Sequence, residues 1–451
     1  MSSIIVLGVA TLTFFIVWHR VGGAAASFVA VIAACALSTI ELLSVGSSTA
    51  ITAIAPAAIT FSTYQLALVA GFLTLPRQTL RNISLWFWLF LLFVIVFVIV
   101  QGIVSPHTVS GVLHWLWAIL AWGLAGAIAE ARVRDHVLGD RWVAVPLACI
   151  VGWHAVLAAL QLMGLRGVSS IGVGSIELAR VSGSAGHSGN LGKVMFLLIV
   201  LLLPLTRSVD KVARRSAIVG VIVAAVLTGL SFSRANTVAV LTLAALWMVL
   251  GPGIRMANRI LVPLIGLIVA LPVIDVLLLR NEYDPEGGSR PLLLASALKQ
   301  ISETFWFGVG PNNYLETVGK FDPLAAGGLP VHSAFLLSLA ELGIICAVLV
   351  AMPFVLLAAR SFSNARRGEP ARAYAIAALA AAPGMILIAA TSWGILRDQY
   401  LVMLFFVLGY VSTAQRAGGA SAPMLDTYRL TRTESTRENH ARAATASIAR
   451  S

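Results

Sequence analysis

Charged residues are scarce in this chain. Asp, Glu, Lys and Arg together make up 11% of its 451 residues, whereas a soluble domain carries about 25%. This scarcity excludes an ordinary water-soluble enzyme. Apolar residues reach 59%, and they lie in runs close to the ~20 residues that a helix needs to cross the hydrocarbon core of a bilayer. The sequence therefore predicts an all-α, polytopic membrane protein.

Cysteines and metal-ligand patterns are also sparse. The three cysteines all lie inside apolar runs, without a CxxC pair or a histidine at ligand spacing: Cys35, Cys149 and Cys346. We interpret them as small core residues rather than disulfide partners or metal ligands. Glu282, Asp284 and Glu286 offer oxygen ligands for a divalent cation, but the sequence around them lacks the glycine and ligand pattern of a calcium loop. We expect no metal and no cofactor.

The apolar runs are long enough for 12 or 13 transmembrane helices. They lie at about 4–18, 24–43, 51–75, 85–104, 109–129, 142–163, 189–206, 216–232, 235–250, 260–279, 333–359, 373–392 and 398–414. Between two of these runs lies one large loop, 280–332, which mixes charges, aromatics and turns. Within it, the apolar positions of 292–305 recur at helical spacing: Leu294, Ala297, Leu298 and Ile301. Residues 415–451 lack such periodicity and predict a disordered tail.

The net charge of +12 is better explained by membrane topology than by nucleic acid. In membrane proteins, Lys and Arg collect in cytoplasmic loops. Here 22 of the 31 basic residues fall on one side of the predicted spans. That side is expected to be cytoplasmic and to hold the C-terminus. Nine basic residues lie on the outer side against this bias: Arg166, Arg180, Lys193, Arg234, Arg280, Arg290, Lys299, Lys320 and Arg397.

Two of these outer arginines stand out. Arg234 lies between two apolar runs with almost no loop to hold it, so it either snorkels to the headgroups or binds an anion. Arg290 follows an acidic stretch and either pairs with those acids or binds an anion itself.

His332 ends the large loop, immediately before an apolar run. The simple interpretation is a polar cap at the start of a helix. Its place at the water boundary would also let it contact a lipid-borne substrate and a soluble one. Nearby arginines would keep the imidazole neutral, as a general base requires. Glu341, nine residues on, is an acid at membrane depth and thus a functional candidate, with a hydrogen bond between helices as the structural alternative.

The other outer loop carries Arg180 and His187 among small residues. Open backbone N–H groups there, and the N-terminus of the following helix, would suit an anion. A plain surface loop explains the composition almost as well.

Four segments occur in a familiar order. They are 180–190, the pair Ser233–Arg234, the stretch from Arg290 to Gly308-Val309-Gly310-Pro311-Asn312-Asn313-Tyr314, and the stretch from His332 to Glu341-Leu342-Gly343. This order resembles the O-antigen ligase and polymerase superfamily, whose members are polytopic glycosyltransferases with one large extracytoplasmic loop. The resemblance covers about 175–350. It divides the chain into N-terminal transmembrane helices (1–174), a catalytic region (175–414) with the 280–332 cap, and the tail.

The resemblance implies a function at the outer face of a bacterial inner membrane. The donor would be a glycan on undecaprenyl pyrophosphate, and the acceptor a hydroxyl of a glycan or glycolipid. Arg234 and Arg290 would hold the donor pyrophosphate, with Arg180 as a weaker third contact. His332 would activate the acceptor hydroxyl, so His332 and Arg290 are the expected catalytic residues, with Glu341 and His187 as possible support. Polymerase is slightly preferred over ligase.

Two other classes stay open. A transporter or flippase would use an arginine-lined cavity as a path for an anionic lipid or solute, but it predicts broken helices in pairs and a site at the membrane midplane. A structural scaffold for an envelope complex predicts no effect of the arginines beyond assembly.

Overall fold

The computed structural model describes residues 18–19, 22–45, 51–75, 106–135, 139–167, 169–173, 176–251 and 288–420, together with 253, 259, 278 and 282. The described elements are α1 Gly23–Ala36, β1 Glu41–Val45, β2 Ile59–Ser62, α2 Thr63–Thr74, α3 Pro106–Asp135, α4 Arg141–Leu162, β3 Ser169–Val173, β4 Ile176–Arg180, α5 Ser188–Leu205, α6 Lys211–Leu230, α7 Arg234–Leu250, α8 Arg290–Glu303, α9 Tyr314–Val318, α10 Pro323–Ala326, α11 Ala334–Asn364, α12 Ala371–Thr391, a 3-10 turn Trp393–Ile395 and α13 Asp398–Ala420.

The described part of the chain is mostly helical, and six of its helices are long and apolar enough to cross a membrane. They are His107–Arg132, Arg141–Leu162, Ser188–Leu205, Lys211–Leu230, Ala334–Asn364 and Ala371–Thr391. All six coincide with predicted apolar runs, which confirms the prediction of an α-helical, polytopic membrane protein. Three predicted runs lie outside the described residues. They are 85–104, 4–18 apart from residue 18, and 260–279 apart from residue 278.

Helix α5 forms the centre of the packing. Every residue of α5 is buried except Gly189 and Asn190, as expected for a helix that is apolar on all sides. Helices α6, α7, α12 and α13 pack against it, and α3 packs along α13. The tight contact of α5 with α7 depends on Gly192, because a Cβ there would lie 2.7 Å from the Cβ of Asn236.

Two predicted spans are wrong in extent. The run 24–43 is helical only to Ala36, and the run 51–75 is helical only from Thr63 to Thr74. Between these helices, β1 and β2 pair in antiparallel orientation, with Val45 opposite Ile59. Strands β3 and β4 form a second antiparallel pair. Apolar composition alone cannot separate such strands from a helix.

Helix α11 is interrupted at Gly343, whose φ of 67° and ψ of 172° are not helical. The loop after α8 docks into this break. Ile344 N donates to Phe305 O at 2.9 Å, and Val309 N donates to Ala340 O at 2.9 Å. The loop at Gly308 crosses α11 at Gly343. The two segments are so close that a Cβ on either glycine would clash with backbone atoms of the other segment. The large loop is therefore anchored to a helix that is a candidate membrane span.

The predicted helix of the cap is present as α8, but its packing face differs from the prediction. Ala297 and Ile301 are buried together with Leu293 and Gln300, whereas Leu294 and Leu298 are exposed. The apolar residues of α8 cover a wider part of its surface than the side that packs against α11, so some of them are exposed. Cys149 also departs from the prediction, because it is exposed while Cys35 and Cys346 are buried.

The predicted boundary of the tail is also wrong. Helix α13 continues to Ala420, past the expected end at 414. The reason is a buried polar contact, in which Gln415 Nε2 donates to Ser361 Oγ at 2.9 Å and Asn364 Nδ2 donates to Gln415 Oε1 at 3.2 Å. Residues 421–451 lie outside the described part of the chain.

Several residues of the predicted cytoplasmic loops share one end of the helices. Arg132 pairs with Asp140 and donates to the hydroxyls of Tyr374 and Tyr410 at 2.6 Å each. Nearby, Arg141 Nε lies 3.7 Å from Asp210 Oδ2. Asp210 also caps α6 through its carboxylate, and these backbone N–H groups and Arg141 hold the pKa of its carboxyl below the ordinary value.

Candidate functional site

Four of the predicted site residues lie at or beside helix N-termini. His187 is the N-cap of α5, and its Nδ1 accepts from Gly189 N at 3.0 Å. Arg234 is the first residue of α7, and Arg290 is the first residue of α8. His332 lies one residue before Ser333, the N-cap of α11, whose Oγ accepts from Leu336 N at 3.4 Å.

A cation at the start of a helix opposes the helix dipole, at a cost of roughly 0.3–1 kcal/mol when it is exposed. Arg234 and Arg290 therefore interact unfavourably with the dipoles of the helices that they begin. Positive helix N-termini and arginines together create a positive potential, which favours a bound anion.

The N-termini of α5 and α7 are directly joined. Asn236 Nδ2 donates to Gly189 O at 2.8 Å, which places the first turn of α7 beside the first turn of α5. The chain reaches Arg234 through a tight turn in which Phe232 has a φ of 48°. Arg180, at the end of β4, reaches the same turn, since its Nε donates to Ser231 O at 3.1 Å.

His332 is surrounded by positive charge. Burial first, and then the charges of Arg290 and Lys193, lower the pKa of His332 from the ordinary value of 6.5, while the Pro330 carbonyl acts in the opposite direction. Its Nδ1 is buried and has no hydrogen-bond partner within the described residues. The imidazole is therefore held neutral at pH 7 with one nitrogen available to take a proton.

His187 lies in a similar field. Burial lowers its pKa, followed by the charges of Arg180, Lys193 and Arg397. Its Nδ1 is occupied as the acceptor at the start of α5. His187 thus holds the helix start in place, and it has no free nitrogen lone pair for proton abstraction when neutral.

Lys193 connects the two histidines, because its charge acts on both. It lies in the second turn of α5 and is buried, and its Nζ donates to Asn190 Oδ1 at 3.1 Å. Thus Arg290 and His332 on one side, and Arg180 and His187 on the other, belong to one electrostatic cluster around Lys193.

Glu341 has a different role from a bond between helices. It is fully buried in α11, and its Oε2 accepts from the backbone N of Asn312 at 2.9 Å. Its own carbonyl accepts from Gly310 N at 2.9 Å. Asn312 in turn accepts from Ile54 N at 3.2 Å and Ala55 N at 3.1 Å through its Oδ1. Glu341 therefore positions the cap loop, and through it the segment before β2.

The family comparison matches this part of the chain. Residues 194–351 match the family model described as O-antigen ligase. This segment is similar to the O-antigen ligase family. The match confirms the resemblance drawn from the sequence, and no curated protein matches the chain.

The O-antigen ligase segment contains some of the cluster but not all of it. Arg234, Arg290, His332 and Glu341 lie inside the matched residues, whereas other members lie outside them: Arg180, His187, Lys193 and Arg397. The predicted residues are therefore brought to one end of the helices by elements from inside and outside the matched segment.

The chemistry of this end suits an anion better than a metal ion. Within the described residues, no group of three His, Cys, Asp or Glu side chains is arranged to hold a metal. Of the acidic trio considered above, only Glu282 is among them.

Sequence reasoning missed Lys193 and Arg397 as members of the site. Both were grouped only as basic residues on the outer side. A signal was present for Lys193, because it is the single charged residue in the apolar run 189–206. Arg397 gave no such signal, since it lies between two runs as any loop arginine does.

Proposed function

We propose that this chain is a membrane glycosyltransferase that transfers or polymerises a glycan from an undecaprenyl-pyrophosphate-linked donor onto a sugar hydroxyl. The observation that carries the proposal is His332, which is kept neutral beside Arg290 and Lys193 and has an unpartnered, buried Nδ1 among the described residues. The O-antigen ligase match over 194–351 supports membrane glycan transfer in general.

His332 acts as the general base in this proposal. The acceptor hydroxyl gives its proton to the imidazole while its oxygen forms a bond with C1 of the donor sugar. A base of this kind contributes typically about 10²–10⁴-fold to the rate. The lowered pKa keeps His332 in the proton-accepting form at neutral pH.

The arginines stabilise the leaving group. As the C1–O bond breaks, its electron pair moves to the pyrophosphate oxygen, and Arg234, Arg290 and Arg180 bind the anion that develops. Guanidinium groups bind phosphate oxygens in bidentate fashion and can replace a metal in this task. Their weak hydration also suits the membrane boundary. Attack from the face opposite the pyrophosphate makes the transfer inverting.

The proposed location is the extracytoplasmic face of the bacterial plasma membrane. The basic loops with Arg132 and Arg141 lie at the end of the helices away from His332, which supports this orientation under the positive-inside rule. The donor enters sideways from the bilayer, and the acceptor is a glycan or glycolipid. We prefer a polymerase of an exported polysaccharide to a ligase.

A deletion strain distinguishes these activities. Lipid-linked glycans would be extracted from the parent strain and from the deletion strain, and their lengths measured by mass spectrometry. Accumulation of single repeat units on the carrier is expected for a polymerase, and accumulation of full-length chains on the carrier for a ligase. If repeat units instead stayed on the cytoplasmic leaflet, with transfer intact once they were exported, the protein would be a flippase and the proposal would be wrong.

A further inference from the structure

Lys193 is the single charged residue of α5. That helix has the most buried surroundings of the six candidate membrane spans, with 89% of its most apolar stretch inside the protein. Lys193 itself is 4% exposed. Its ammonium therefore lies among packed side chains, although the site end of α5 is only one turn away.

The ammonium has fewer partners than it can bind. It carries three N–H donors, and its one hydrogen bond within the described residues goes to Asn190 Oδ1. None of the Asp and Glu side chains in the described part of the chain pairs with it. Arg397, by contrast, is bound to the carboxylate of Asp398 at 3.0 Å. Buried charges are normally paired, but the described part of the chain supplies no counter-charge for Lys193.

The residues around Lys193 also favour a bound anion. His187, His332 and Arg397 are all within reach of electrostatic interaction, and none of them is acidic. The 3-10 turn Trp393–Ile395 covers the ammonium from one side. A Cβ on Gly394 would lie 2.6 Å from Lys193 Nζ, so that glycine allows this close cover.

We propose that Lys193 is a phosphate-binding residue of the site, which binds a phosphoryl oxygen of the pyrophosphate donor and of the pyrophosphate that leaves. Asn190 holds the ammonium in place through its Oδ1. This proposal rests on the proposed function and adds to it a cation from outside the matched segment, beside Arg234 and Arg290. Lys193 lies close to the donor-binding N-terminus of α5, and its charge also acts on the acceptor base, His332.

Ligand binding by the full-length protein in detergent tests this role. The probes are farnesyl pyrophosphate, a short polyprenyl pyrophosphate, and farnesol, which has the same chain without phosphate. The test variant is Lys193→Met, which keeps an unbranched side chain of nearly the same length and removes the charge. Lys299→Met is the matched control, because Lys299 is exposed on α8 and its Nζ lies over the ring of Phe321 at 4.3 Å.

We expect Lys193→Met to weaken binding of farnesyl pyrophosphate at least tenfold and to leave binding of farnesol unchanged. Its melting temperature without ligand should equal or exceed that of the wild type, because an apolar side chain in place of a buried charge is often neutral or stabilising. Lys193→Arg should keep the binding of farnesyl pyrophosphate within about threefold, since the charge remains. Lys299→Met should behave as the wild type.

Three results would overturn the role of Lys193. If Lys193→Met bound farnesyl pyrophosphate as the wild type does, the role would be wrong while the proposed function stood. If the variant lost farnesol binding too and melted earlier, or if both Lys193 variants failed to fold, the lysine would be structural. If the wild type bound farnesyl pyrophosphate no better than farnesol, both the role of Lys193 and the pyrophosphate-linked donor of the proposed function would be wrong.

Discussion

The carboxylate of Glu341 and the backbone of Asn312 are joined by a hydrogen bond, in which Glu341 Oε2 accepts from Asn312 N at 2.9 Å. Asn312 also donates from its Nδ2 to Ala55 O at 3.0 Å. A candidate membrane span, the cap loop and the segment before β2 are thus held together by two buried residues. His332 lies two residues before the start of the span that contains Glu341, so the position of the proposed base depends on this contact.

Replacing Glu341 tests this connection. Glu341→Gln keeps an acceptor for Asn312 N and should cost little stability. Glu341→Ala leaves a buried N–H without a partner, which costs about 1–3 kcal/mol. Thermal unfolding in detergent should therefore show a lower melting temperature for the alanine variant than for the glutamine variant. Equal melting temperatures for the two variants would show that the hydrogen bond does not hold the loop.

The crossing of Gly308 and Gly343 gives a second prediction. Gly343 has a φ of 67°, and a Cβ there would lie 2.5 Å from backbone atoms of Phe307. Gly343→Ala should therefore separate the cap loop from α11 and lower stability by more than the roughly 1–3 kcal/mol of a non-glycine residue in such a backbone conformation. Transfer activity should fall with it, because the loop and His332 shift.

Gly186→Ala is the matched control for this substitution. Gly186 has a similar φ of 71°, but no atom lies within 4 Å of its Cβ position. It should show the backbone cost alone. A loss of stability in Gly343→Ala no larger than that in Gly186→Ala would mean that the close crossing is unimportant.

These contacts also show where sequence reasoning succeeds and fails. Length and hydropathy predicted the run 142–163, which agrees with α4, because a single helix satisfies its own backbone. The same reasoning failed for 51–75, whose backbone N–H groups at Ile54 and Ala55 are satisfied by Asn312, more than 250 positions away. The break of α11 at Gly343 could not be predicted for the same reason, because it depends on a contact with Gly308, which lies in another segment of the chain.

The candidate site could be proposed from the sequence only in part. Arg234, Arg290 and His332 could be selected because charge and polarity at the edge of apolar runs need an explanation. Lys193 was not selected, since its burial, and the lack of an acidic partner among the described residues, appear only when the helices are assembled around α5.

The pH dependence of transfer gives a third prediction. His332 must be neutral to act as a base, and its pKa lies below 6.5 because of burial, Arg290 and Lys193. Activity should therefore decline only below pH 6.5, as His332 takes up a proton. Arg290→Gln removes a positive neighbour, raises the pKa of His332 and should move this decline to higher pH.

The measurement is kcat/KM against pH with a purified lipid-linked donor. Arg166→Gln serves as the control, because Arg166 is an exposed arginine that does not contribute to the lowered pKa of His332. Its pH profile should match that of the wild type. A profile of Arg290→Gln that is lower in rate but unmoved along the pH axis would argue that Arg290 acts on the donor without influencing His332.

Removal of divalent metals gives a fourth prediction. In the proposed mechanism, arginines and Lys193 neutralise the pyrophosphate in place of a metal. Transfer by the purified protein should continue at an unchanged rate in excess EDTA. A rate that falls with EDTA and returns with Mg²⁺ or Mn²⁺ would contradict the metal-independent mechanism.

The central claim is that His332 activates an acceptor hydroxyl for glycan transfer, and an assay in liposomes tests it most directly. The purified wild type and His332→Ala would receive a lipid-linked repeat unit isolated from the source strain, and mass spectrometry would follow the glycosidic product and the released undecaprenyl pyrophosphate. We predict both products with the wild type and a rate at least about 10²-fold lower with the folded variant. Undiminished product formation by His332→Ala would contradict the account.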